Sequence, residues 1–199
     1  MIDNINEIPS GGIGIKVIGK IADELSYTRT FDQRNCLFII KYYQQQVIAS
    51  QPATHSGYFQ RPLKVLNKFN WFKNQRIREA ASNSDNQPVH EISLQVTTDL
   101  KAVTQILYLL EDLERLPIPE VVFHQCKLAT IEGFTNAVRH AHKNLPLATP
   151  IELSITVFNE RIEIKIWDLG EPFDFLAKLA EELSEKSPFS WNGLEVTIH

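Results

Sequence analysis

The sequence predicts an α+β protein, and three patterns carry that reading. Ile151, Leu153, Ile155 and Val157 alternate with polar residues, as do Ile162, Ile164 and Ile166 beyond the tight turn Asn159-Glu160-Arg161, which spells a β-hairpin. The continuous apolar run CLFII, Cys36–Ile40, is long enough for a buried strand. Other stretches repeat apolar residues at three- and four-residue intervals, the period of helices.

In chain order, SGGIGIKVIGKIADELSYT (Ser10–Thr28) is a glycine loop opening a helix, with Ile15, Ile18, Ile21, Ala22 and Leu25 at helical spacing. SYTRT (Ser26–Thr30) follows, then a polar break at Phe31–Asn35 and the CLFII strand. Residues 45–89 read as a linker. QQQVIASQPATHSG is polar and turn-rich, and AASNSDNQP (Ala80–Pro88) is similar. Between them Arg61, Lys64, Lys68, Lys73, Arg76 and Arg78 interleave with Phe69, Trp71 and Phe72. This basic amphipathic element either packs its aromatic residues on the domain or docks an acidic partner or membrane face. Ile92, Leu94 and Val96 mark a strand, and Thr97, Thr98 and Asp99 offer an N-cap to a helix striped by Leu100, Val103, Leu107 and Leu110. Pro119 suits the first turn of a second helix reaching about 143, before Asn144 and Pro146. After the hairpin, Phe175–Lys186 is a charged helical stretch, and SPFSWNGLEVTIH has no evident role.

Bulk properties bound the function. With 199 residues, the chain has length for one ordinary domain with or without an appendage. A composition of 43% hydrophobic and 22% charged residues suits a soluble globular protein, and a net charge of −4 argues against nucleic acid as the main partner. Cys36 and Cys126 both lie in apolar runs, as buried thiols of a reducing cytosol do. No apolar stretch reaches the roughly 18 residues of a membrane span, and MIDNINEIPS has no signal-peptide character. A cytoplasmic location is expected.

The chemistry concentrates on the second long helix, in IEGFTNAVRHAHK (Ile131–Lys143). Glu132, Asn136 and His140 fall four residues apart and share one face. Asn is a neutral oxygen donor able to complete an octahedral Mg²⁺ shell, and a neighbouring Glu can take a proton from an attacking hydroxyl or water. The plainer alternative is that these residues cap loops or face solvent. IWDLGEPFD ends the hairpin with Asp168 and Gly170, where a carboxylate can meet an exocyclic amine and a glycine lets a flat ring approach the backbone. The six histidines, at 55, 90, 124, 140, 142 and 199, show no recognisable zinc spacing, although His140-x-His142 comes near.

These residues resemble the anti-sigma factor serine kinases of the Bergerat (GHKL) ATPase superfamily. Glu132-x-x-x-Asn136-Ala137-x-x-His140 is similar to the N box, and Asp168-x-Gly170-x-Pro172-Phe173-Asp174 to the first glycine box. Gly11-Gly12-Ile13-Gly14-Ile15, with its helix and strand, is similar to the second glycine box. The resemblance covers about 10–45 and 90–175. It implies a two-layer α/β sandwich with a mixed, mainly antiparallel sheet. It implies ATP and Mg²⁺ as cofactors, with Asn136 holding the metal, Asp168 accepting from the adenine amino group, and Gly170 letting the base lie close. Gly12, Ile13 and Gly14 would bring backbone N–H groups to the phosphates. Glu132 would be the general base that deprotonates a serine of a protein substrate. A sigma factor and an anti-anti-sigma (STAS-type) protein are the implied partners.

The boxes stand in a different order from the family, which runs N box, first glycine box, lid, second glycine box, final strands. Here residues 1–44 would supply the second glycine box, its helix and the last two strands, and 45–89 the linker. Residues 90–175 would supply the N box and first glycine box, and 176–199 part of the ATP lid or a tail. Either the domain is circularly permuted, with new ends inside the lid, or segment exchange between two chains completes the sheet of a homodimer. The function expected is an ATP-dependent kinase of the anti-sigma type. The alternatives are a catalytically weak nucleotide-binding module that sequesters a partner, and an ATPase in which Glu132 activates water.

Overall fold

The computed structural model describes residues 13–44, 64–65 and 87–184. Along the chain run α1 (Ile13–Ile21), β1 (Glu24–Arg29), β2 (Asn35–Tyr42), a two-residue β3 (Lys64–Val65), β4 (His90–Thr97), α2 (Val103–Glu111), α3 (Glu120–Asn136), β5 (Pro150–Val157), β6 (Arg161–Asp168) and α4 (Phe175–Ser184). Short 3-10 turns flank α2, and α3 continues into a π-helical turn over Ala137–Ala141. The strands form one sheet in the order β3-β1-β2-β6-β5-β4. Every pairing is antiparallel except the short parallel contact of β3 with β1. The sheet is mixed and mainly antiparallel, as expected.

The two resembling stretches meet at the centre of this sheet. β2 pairs with β6 along its whole length, from Asn35 opposite Asp168 to Tyr42 opposite Arg161. One face of the sheet carries Leu25, Leu37, Ile39, Leu153, Ile155, Ile164 and Ile166 into a core closed by α1, α2, α3 and α4. The other face of β2 buries Cys36, Phe38 and Ile40 beside Tyr42 and Trp167. That two-sided burial is why CLFII is apolar at every position, whereas β5 and β6 alternate. Gly133 lets α3 lie close to the sheet, because a Cβ there would strike the Ile166 side chain and crowd Leu37.

Three expectations need correction. Leu25 belongs to β1, not to the preceding helix: α1 ends at Ile21, and Asp23 accepts from the Tyr42 backbone N–H, which starts the hairpin. Around α2 the buried residues are Ala102, Ile106, Leu110 and Leu113, while Leu100 is exposed. Asp99 caps as expected by accepting from the Lys101 N–H, but the first turn is 3-10, and its tighter winding rotates Leu100 away from the core. The third correction concerns His140 and belongs with the site. Gly11, Gly12, most of the 45–89 segment and the tail beyond 184 lie outside the described residues.

Candidate functional site

Helix α3 turns Phe123, Cys126, Ala129, Thr130, Gly133 and Phe134 inward, and Glu132 and Asn136 lie half-buried one turn apart. The first turn of α1 sits against that pair. A Cβ on Gly14 would lie 2.7 Å from Glu132 Oε2, 3.0 Å from Asn136 Oδ1 and 3.1 Å from Asn136 Nδ2. Glycine here is therefore a packing requirement, and it brings the helix N-terminus beside a carboxylate and a carboxamide more than a hundred residues away in sequence. Asn136 Nδ2 is buried and has no hydrogen-bond partner among the described residues. A buried, unpaired amide is costly, so the position is poised for a polar ligand. Ile13 is the first residue of α1, so the backbone of the expected loop is already helical there.

His140 does not join this face. The π-helical turn begins at Ala137, and its wider winding leaves Arg139 and His140 exposed. It buries His142 instead, 2% exposed, where the sequence offered no helical repeat to predict it.

The second half of the site is the turn leaving β6. Asp168 is buried, and its Oδ1 accepts from the Gly170 backbone N–H at 2.9 Å and from Asn35 Nδ2 at 2.8 Å. Asn35 Nδ2 also reaches Gly170 O at 2.9 Å, and Arg29 Nη1 donates to Asn35 Oδ1 at 3.2 Å and to Gly170 O at 3.3 Å. Among the described residues these bonds fall on Oδ1 alone and leave Oδ2 for an incoming donor. A Cβ on Gly170 would lie 2.5 Å from Ala141 O, so the turn closes directly onto the π-helical backbone.

An aromatic wall adjoins the carboxylate. Tyr27 packs on Phe173 and Phe175, with centroids 5.0 and 5.4 Å apart, and Phe173 stays partly exposed. Tyr27 Oη is buried with no partner among the described residues. Burial, and then the Asp168 charge, push its pKa well above the usual phenol range. Asn35, Arg29, Tyr27 and His142 escaped sequence reasoning because each acts across long sequence distances. Only Asn35, a polar residue at the mouth of an apolar strand, carried any local signal.

Residues 96–194 match the histidine kinase-like ATPase domain. That segment is a histidine kinase-like ATPase domain. The chain's resemblance also extends to a serine-protein kinase, RsbW of Staphylococcus epidermidis, 45% identical over 51 residues, which is 26% of this chain and 32% of that protein. The same figures hold for RsbW in two strains of that species. The chain thus spans about a third of the length of these relatives. No solved structure shows significant similarity to it.

The residues fit a nucleotide with its metal: an unpartnered carboxamide beside a helix N-terminus, and a free carboxylate oxygen beside an aromatic wall. Among the described residues no three His, Cys, Asp or Glu side chains gather as a metal cage, and His142 has both ring nitrogens engaged. No described helix is long and apolar enough to cross a membrane.

Proposed function

We propose that the chain is an ATP-dependent protein serine kinase of the anti-sigma type, acting in the cytoplasm. It would hold a sigma factor and phosphorylate an anti-anti-sigma protein. The observation that carries this reading is the meeting of Gly14 with Glu132 and Asn136, with the Asn136 amide left unpaired. In this reading the backbone of Gly12, Ile13 and Gly14 faces the phosphates and Asn136 holds Mg²⁺, which neutralises phosphate charge. Asp168 accepts from the adenine amino group, and Gly170 admits the ring. Glu132 takes the proton of a serine hydroxyl as that oxygen bonds to the terminal phosphorus and ADP departs. The kinase activity of RsbW supports the reaction class. Circular permutation is the simpler account of the β2–β6 pairing, because it needs no second chain.

The test is a calorimetric titration with Mg-ATP, solution mass recorded alongside, followed by phosphotransfer to a candidate acceptor. Saturable binding by a monomer, removed by Asn136→Ala, is expected. Glu132→Gln should bind ATP but transfer no phosphate. Failure of the folded protein to bind ATP would overturn the nucleotide assignment. A dimer that binds would favour segment exchange. Phosphate transfer by Glu132→Gln would overturn the base assignment, and binding without transfer in wild type would favour the sequestering module.

A further inference from the structure

We propose that His142 is a positioning residue for the nucleobase end of the site: a neutral ring of fixed tautomer that holds the Asp168–Gly170 turn and, on taking a proton, releases it and weakens nucleotide binding. The inference rests on the nucleotide reading above.

The tautomer follows from counting hydrogens. Thr98 Oγ1 lies 2.6 Å from His142 Nδ1 and donates its single hydrogen to Thr149 O at 2.8 Å. It must therefore accept from the ring, which puts the proton on Nδ1. Nε2 is left with a lone pair, and it accepts the backbone N–H of Leu169 at 2.8 Å. Leu169 is the residue between Asp168 and Gly170. One side chain thus ties the turn that presents the carboxylate to the segment leaving β4 and the segment entering β5. Protonation at Nε2 would set two N–H groups head to head, so the imidazolium cannot keep this arrangement.

The surroundings favour the neutral ring. Burial moves His142 below the ordinary histidine range, and the Asp168 charge opposes that only in part. Asp168 faces it from β6. The β4 exit carries Asp99, whose carboxylate takes the Lys101 N–H. Arg139, His140 and Lys143 on its own segment are exposed, and the Leu147–Thr149 stretch brings no charged side chain. The contribution to folding is thus complete above the ordinary histidine value of about 6.5 and is lost as pH falls through the lower folded value.

His142→Gln provides the test. A carboxamide can accept from Leu169 and donate to Thr98, yet it takes no proton in this range. Mg-ATP affinity of both proteins is measured from about pH 8 to about pH 5. Wild type should lose about tenfold more affinity than the variant over that span, the ratio expected for one buried donor left unpaired. The shared effects of ATP protonation cancel in the comparison. Parallel profiles would overturn the proposal, whereas absence of binding at neutral pH would sink the nucleotide reading itself. Should the variant fail to fold, nitrogen NMR of wild type decides. The ring should show hydrogen on Nδ1, and the Leu169 amide should begin to exchange as His142 titrates. A Leu169 amide still protected beside a charged ring would refute the positioning role.

Discussion

Asn35→Asp isolates the contact on which the carboxylate turn depends. The change replaces one amide nitrogen with an oxygen at a site with 0% exposure. Two donated bonds disappear, to Asp168 Oδ1 at 2.8 Å and to Gly170 O at 2.9 Å, and in each an acceptor then faces an acceptor. A net loss of about 1 kcal/mol per bond, plus the repulsion of two adjacent carboxylates, gives about 3 kcal/mol at neutral pH, with the Arg29 guanidinium offsetting some of the repulsion. A proton bound by the carboxyl pair restores one O–H donor and removes the like charge. The pair's affinity for that proton is raised in the folded state, so the missing stability returns as pH falls through that raised value and is complete below the ordinary carboxylate range. It is lost again as pH rises, with a limiting slope of about 1.4 kcal/mol per pH unit. Urea unfolding of both proteins at about pH 7.5 and about pH 5 reads the effect. The gap between them should narrow by roughly half at the lower pH. A gap independent of pH would refute the bridging geometry.

Two further outcomes follow from packing. Gly170→Ala would drive a Cβ to 2.5 Å from Ala141 O and 2.8 Å from its carbonyl carbon, both backbone atoms. It should cost about 2 kcal/mol in urea unfolding and more than about tenfold in Mg-ATP affinity, while loss of neither would mean that the turn sits elsewhere. Burial pushes the Cys36 and Cys126 thiols up to about 12, so both should resist a disulfide reagent in the native protein and react promptly once unfolded. Rapid native labelling would show the sheet or α3 opening locally.

What the sequence made legible was whatever a short window encodes. The alternation in β5 and β6, the continuous apolar run of β2 and the proline at the mouth of α3 each state a local burial pattern, and each element formed where expected. Helical phase was harder. A 3-10 turn before α2 and a π-helical turn after α3 shift which residues face inward, and neither leaves a periodic trace before the helix is packed. That is why His140 looked like a partner of Asn136 and His142 did not stand out. Motifs singled out Glu132, Asn136, Asp168 and Gly170 as candidates. Their supports were not singled out, because Asn35, Arg29 and Tyr27 come from strands whose proximity to Asp168 is decided only when β2 pairs with β6.

That pairing also sets a timetable. During synthesis β1 and β2 precede β6, the strand that flanks β2 on its far side, by more than a hundred residues. At typical elongation rates the interval is on the order of ten seconds, far longer than a hairpin needs to form. Throughout it the apolar side chains of Cys36–Ile40 have only half of their sheet. The newborn chain thus carries a sticky strand edge throughout that interval, and its yield in the cell depends on what shields the edge until β6 emerges.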